Sequence, residues 1–127
     1  MTLVVDASAV AAIVFDEAEG ATITANLEGE TLIAPALIDY ELANIAVTKM
    51  RRHPHLQAQL LAALELARDF PMTRIDVSPF DAVALAIETG LSGYDASYLW
   101  LALSRDLELV TLDHKLARVS QARREPL

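Results

Sequence analysis

Four acids in this 127-residue sequence fall where chemistry could use them: Asp6, Glu41, Asp95 and Asp113. Asp6 directly ends the apolar run Leu3-Val4-Val5 and is followed by Ala7. An acid in that setting is expected to be partly buried and to need a partner. Asp113 follows a second strand candidate, 107–111, and Asp95 stands at the start of a helical stretch. Glu41 lies in the first half of a helix that follows another strand candidate. Carboxylates gathered in one place repel, and the cluster is costly unless a cation or proton sits between them. The hard ions Mg²⁺ and Mn²⁺ prefer such oxygens. An ion held this way can activate water and neutralise charge on a phosphate, so the cluster is consistent with phosphate chemistry.

Each acid also has a plain structural reading. Asp113 precedes Leu116 and fits a helix N-cap, and Asp95 fits a first turn that complements the helix dipole. Glu41 has Asp39 close by and would serve equally as a solvated surface residue. Asp6 is the hardest to explain as decoration.

The elements that must position these residues read as alternating strands and helices. Strands are expected at 3–5, 31–34, 75–77 and 107–111, each short and apolar. Helices are expected at 7–15, from Asp16-Glu17 to about 27 with a break at Gly20, and from Pro35 in a first turn to Arg51-Arg52. Glu28-Gly29-Glu30 reads as a turn, and His53-Pro54-His55 as a break before a helix over 56–70 with Leu60, Leu61, Leu64 and Ala67 on one side. Ser78-Pro79 opens a helix that Gly90 ends, Tyr94 to Arg105 forms another, and Asp113 caps a last one towards Gln121. Alternation of this kind, with strands too apolar for a half-exposed sheet, implies a parallel sheet covered on both faces. The expected fold is an α/β protein, a three-layer α/β/α sandwich with four to five strands, in one domain spanning 1–127. Ligands of such sheets gather at the carboxyl ends of the strands, and these placements allow all four acids to converge there.

Composition sets bounds on function. Apolar residues make up 54% of the chain, enough to fill a core, and the absence of cysteine excludes disulfides, thiolate metal sites and cysteine nucleophiles. That absence is at home in a reducing cytoplasm, and no segment approaches a membrane span or a signal peptide. Formal net charge is -8, which argues against nucleic acid unless the acids are concentrated at a cation site. No GxGxxG, Walker A, GxSxG or HExxH sequence occurs. His53 and His55 read as a solvated turn.

With these residues in view, the sequence resembles the PIN-domain nucleases, and among them the VapC toxins of toxin–antitoxin pairs. Leu3-Val4-Val5-Asp6-Ala7-Ser8 is similar to the family's first motif, an Asp-x-Ser at a strand end. Tyr40-Glu41-Leu42-Ala43-Asn44 is similar to the second, Gly93-Tyr94-Asp95-Ala96-Ser97-Tyr98 to the third, and Val110-Thr111-Leu112-Asp113 with Leu116 to the fourth. Four such motifs in order, over nearly the whole length, make a specific signal, with no departure at the acids.

The resemblance implies a Mg²⁺- or Mn²⁺-dependent endoribonuclease that leaves 5′-phosphate and 3′-hydroxyl ends. Asp6 and Asp95 would be the most direct ligands, with Asp113 completing the site and Glu41 holding metal or water. Ser8 and Thr111 resemble the hydroxyl residues that hold the ligands, and Asn44 a supporting polar residue. It implies a homodimer and an antitoxin partner, for which the apolar stretches 10–27 and 35–50 are candidate contacts. Lys49, Arg51 and Arg52, or Arg118, Arg123 and Arg124, could steer RNA, or simply complement helix dipoles. A PIN nuclease with a housekeeping role in RNA processing is the alternative within the fold. A rival of another class is a non-catalytic α/β module with a phosphoacceptor or cation pocket, as in receiver domains, but Asp76 lacks the early acidic pair that would need. A haloacid-dehalogenase-like phosphatase needs an aspartate two residues after the first, where this chain has Ser8.

Overall fold

The computed structural model describes residues 1–124; the last three residues of the expected domain lie outside them. Four strands, Thr2–Val5 (β1), Thr31–Pro35 (β2), Thr73–Ile75 (β3) and Glu108–Val110 (β4), pair in parallel in the order β3-β2-β1-β4. β1 is thus interior and β4 an edge. Val4 and Val5 are successive residues on opposite faces of β1 and both are fully buried, so helices must cover both sides of the sheet. Those helices are Ala7–Val14 (α1), Gly20–Leu27 (α2), Ile38–Arg52 (α3), Gln57–Ala67 (α4), Pro79–Thr89 (α5), Gly93–Ser104 (α6) and His114–Arg124 (α7). Helices α1 to α4 pack among themselves, α5 packs on α6, and α6 lies against β1, β2 and β4 and contacts α7. The result is the expected three-layer α/β/α sandwich. Its core joins Val4, Val5 and Val10 to Ile38, Leu42, Leu99, Leu101 and Leu116, each worth about 1.5–3 kcal/mol of burial.

Several boundaries differ from expectation, each for a physical reason. Asp16 takes a left-handed backbone (φ 52°) and the Glu17 N–H bonds to the Ala12 carbonyl, so this stretch is a turn and not a helix start. Gly20 begins α2 instead of breaking it. A Cβ there would lie 2.4 Å from the Ala12 carbonyl oxygen, so only glycine lets α2 start this close to α1.

Pro35 is not in a helix turn. It ends β2 opposite Ile75, where a missing N–H is tolerated at a strand terminus. β3 falls two residues earlier than expected and stops before Asp76 and Val77. α4 is shorter at both ends than expected, and Leu61 faces solvent while Leu60 and Ala67 are buried. Ser78 precedes α5 without a side-chain capping bond, and Gly90 ends that helix in the left-handed conformation as its type suggests. Among the described residues, no helix is long and apolar enough to cross a membrane.

Candidate active site

All four acids belong to helix N-termini at the carboxyl edge of the sheet. Asp6 is the N-cap of α1, Glu41 and Asp95 lie in the first turns of α3 and α6, and Asp113 caps α7. The partial positive charge of four converging helix ends offsets part of the repulsion among the carboxylates. Glu41 and Asp39, two positions apart on one helix, face different ways. Asp39 pairs with Arg74 of β3 at 2.9 Å, whereas Glu41 turns into a cavity of about 190 Å³ that Asp6, Asp95 and Asp113 also line.

Asp6 is the most constrained of the four, with 4% of its surface exposed. Its Oδ1 accepts from the Ser8 hydroxyl at 2.7 Å and from the Ala9 N–H at 3.0 Å, while Oδ2 accepts from the Thr111 hydroxyl. Thr111 Oγ1 in turn accepts from the Asp113 N–H at 3.0 Å, and Ser8 Oγ from the Leu112 N–H at 2.9 Å. The Asp6 N–H donates to the Val110 carbonyl. Ser8 and Thr111 therefore join the ends of β1 and β4 around one carboxylate. Burial pushes the Asp6 pKa up; the hydrogen bonds from Thr111, Ser8 and Ala9 oppose that rise, and the charge of Asp95 adds to it.

Glu41 and Asp95 are also shifted upward, first by burial. Glu41 feels the charges of Asp95 and Asp6, and Asp95 feels Asp113. In the sequence, Tyr98 figures only as part of the third motif, with no role at the site. It is core, but its hydroxyl reaches the site, on the same face of α6 as Asp95 three residues earlier. Glu41 Oε1 and Tyr98 Oη are both buried without a hydrogen bond of ordinary geometry, yet lie close enough for the phenol to lower the Glu41 pKa. Burial and Glu41 together keep the phenol protonated. Lys115 was also overlooked. Its ammonium donates to the Gly90 carbonyl at 2.8 Å and draws the Asp95 pKa down. Its signal was its place two residues after Asp113.

Other expected residues lie apart from the acids. Asn44 is exposed and lines two neighbouring hollows but not the acid cavity. Lys49 and Arg52 line one of those hollows beside His114, and Lys49 is paired with Glu17 at 3.1 Å. Arg51 is exposed outside it. Arg118 borders a separate shallow surface, and Arg123 and Arg124 end α7 at the opposite end from Asp113, Arg123 pairing with Glu88 at 2.8 Å. The apolar residues of 10–27 are mostly core, which leaves them little surface for a partner; along α3, Tyr40 and Val47 are exposed. Asp76 is exposed beyond β3 and does not line the acid cavity.

The donor set is made of hard carboxylate oxygens. Among the described residues, no three His, Cys, Asp or Glu side chains stand close enough together to hold one metal ion as placed. Mg²⁺ keeps several waters and takes one or two carboxylates directly, so a cavity lined by four acids suits it.

Comparison with known proteins places the chain in a family. Residues 3–122 match the PIN domain family model. The chain is 33% identical over 120 residues to VapC ribonuclease Mb0985 of Mycobacterium bovis, covering 94% of this chain and 92% of that protein. It is 35% identical over 123 residues to ribonuclease VapC3 of Pyrobaculum aerophilum, covering 92% and 93%. The crystal structure of PAE2754 from Pyrobaculum aerophilum superposes with a TM-score of 0.73 at 27% identity, over 94% of this chain and 87% of that one. With a family model matching residues 3–122, relatives at 33% and 35% identity over most of their length, and a shared α/β/α sandwich, the chain belongs to the PIN-domain family, in company with the VapC ribonucleases.

Proposed function

We propose that this protein is a Mg²⁺- or Mn²⁺-dependent endoribonuclease, the toxin of a toxin–antitoxin pair acting in the cytoplasm, with 1–127 as one nuclease domain. The observation that carries this reading is the convergence of Asp6, Glu41, Asp95 and Asp113 on one cavity at the sheet's carboxyl edge. Asp6, Asp95 and Asp113 would hold the ion, with Glu41 completing the set. When bound, the ion supplies positive charge against the scissile phosphate and lowers the pKa of water beside it.

The chain's own groups do the rest. Ser8, Thr111 and the Ala9 N–H fix the plane of the Asp6 carboxylate, so its orientation does not have to be found during the reaction. Glu41, with a raised pKa and its side chain lining the acid cavity, is suited to take a proton from attacking water. Tyr98, held protonated, keeps a donor beside that carboxylate. Lys115 places a positive charge near Asp95 on the side of Gly90. RNA ending in a 5′-phosphate and a 3′-hydroxyl would be the product.

Two protein partners belong to the same reading. An antitoxin would occupy the rim, with the exposed Tyr40 and Val47 of α3 available to it. A second copy of the chain would cover Phe80, Val83 and Ile87, an exposed apolar row at helical spacing on α5. The direct experiment is cleavage of RNA by the purified chain. Products that appear with Mg²⁺ or Mn²⁺ and vanish with EDTA are expected, together with growth arrest on expression without a partner. Intact RNA in the presence of both ions would overturn the nuclease assignment.

A further inference from the structure

Three buried side-chain polar atoms among the described residues lack a hydrogen bond of ordinary geometry: Glu30 Oε2, Glu41 Oε1 and Tyr98 Oη. Glu30 is accounted for, since its Oε2 lies 3.3 Å from the α-amino group of Met1. The other two belong to side chains that line the same acid cavity. They are complementary in kind. A carboxylate oxygen accepts and a phenol donates, and either is costly to bury without a counterpart. Tyr98 is only 1% exposed, and a phenylalanine would fill nearly the same core volume without burying an oxygen.

The neighbours of that oxygen supply its reason. Tyr98 lies on α6 one turn deeper than Asp95, on the helix that packs against β1. Burial, and then Glu41, push the phenol's pKa up, and the nearby Ala7 N–H opposes that rise. Ala7 is the first residue of α1, where backbone N–H groups have no acceptor within their own helix. On the other side of the oxygen, the phenol is the one hydrogen-bond donor that bears on Glu41 among the described residues. Asp6 differs sharply, because three donors fix its shorter side chain. Glu41 has one more rotatable bond and one donor, so its direction depends on that donor.

We propose that Tyr98 is a positioning residue: its hydroxyl accepts from the Ala7 N–H and donates to Glu41 Oε1. One buried phenol on α6 then holds the carboxylate of α3 against the start of α1, which leaves Glu41 Oε2 for the cavity. Three of the four helices that deliver acids are joined at a single oxygen. This rests on the nuclease reading above and deepens it.

The test is a double-mutant cycle in the full chain between Tyr98→Phe and Glu41→Leu, read by urea unfolding in EDTA. It is followed by kcat and KM of Tyr98→Phe on one RNA oligonucleotide with Mg²⁺. With Glu41 intact, loss of the hydroxyl should raise the unfolding equilibrium constant by roughly 10- to 100-fold, because a charged group loses its donor. In the Glu41→Leu background the same change should stay within about three-fold or reverse its sign, because the phenol has already lost its acceptor. Tyr98→Phe should lower kcat by roughly 10- to 100-fold with KM held within about two-fold, since a carboxylate is misdirected and no contact with RNA is removed.

An equal change of stability in both backgrounds would overturn the bond. Coupled stability with an unchanged kcat, or with the loss appearing in KM, would overturn the positioning role. Wild type that cuts no RNA with Mg²⁺ or Mn²⁺, while the coupling persists in EDTA, would retire the nuclease reading and leave the bond between Tyr98 and Glu41 standing.

Discussion

The β1–α1 and β4–α7 junctions are built from the same local parts: a short apolar strand, an acid, and a helix that the acid caps. Asp6 Oδ1 accepts from the N–H three residues on, and Asp113 Oδ1 does the same with Leu116 at 2.9 Å. Yet Asp6 is almost fully buried with every oxygen engaged, whereas Asp113 is exposed. The difference comes from the sheet. β1 lies between β2 and β4, so its end is walled by neighbours, while β4 is an edge strand whose end opens to water. A helix cap and a residue of the acid cavity are therefore not alternatives here: the same carboxylate is both, and its place in the strand order decides how far it is desolvated. Thr111 ties the two junctions together by donating to Asp6 and accepting from Asp113.

The comparison can be broken most forcefully at Asp6. Asp6→Asn should lower RNA cleavage by about a thousand-fold or more. Its melting temperature should rise, because a buried charge beside other acids is removed. Asp6→Ala should be equally inactive but less stable than Asp6→Asn by about 1–3 kcal/mol, since three donors lose their acceptor. Equal melting of the two variants would show that the web around Asp6 contributes nothing to stability.

Asp113 separates cap from charge. Asp113→Asn keeps the capping oxygen and should melt like wild type while cleaving roughly 10- to 100-fold more slowly. Asp113→Ala should lose about 1 kcal/mol as well. If Asp113→Asn cleaved normally, the edge junction would be a cap and nothing more.

The junctions should also differ in pH dependence. Asp6, Glu41 and Asp95 all have pKa values raised in the folded state. The folded protein then holds more protons than the unfolded chain between the ordinary carboxylate range and those raised values. Its stability, measured by denaturant titration in EDTA, should be highest below that range and fall as pH rises through it. Asp6→Asn should flatten the fall more than Asp113→Asn does, and added Mg²⁺ should offset it. Stability that rises over this interval would contradict the buried-acid account. The smallest effect belongs to Thr111→Val, which removes one donor to Asp6 and one acceptor for the Asp113 N–H. It should cost about 1 kcal/mol and reduce cleavage less than either acid substitution.

Much of this molecule was legible in advance. The runs Leu3-Val4-Val5 and Leu107–Thr111 marked the strands, and the acids at their ends marked the rim, because a parallel sheet sends its strand ends to one side. Gly90 and Asp113 announced a helix stop and a helix start through backbone chemistry that is local. The misread positions were those governed by distant neighbours. Gly20 looked like a breaker because the Ala12 carbonyl that requires it belongs to another helix. Pro35 looked like a helix start because its pairing with β3 lies across the sheet.

The site divides the same way. Residue type and order determined by themselves that four carboxylates, two hydroxyls and a parallel α/β frame were present. Tertiary structure alone decided which were buried, that Glu41 and not Asp39 enters the cavity, that Tyr98 faces Glu41, and that Tyr40 and Tyr94 share one groove. The reason is physical. Strand and helix preferences act over a few residues, whereas desolvation and charge coupling depend on which distant groups exclude water from the same few ångströms.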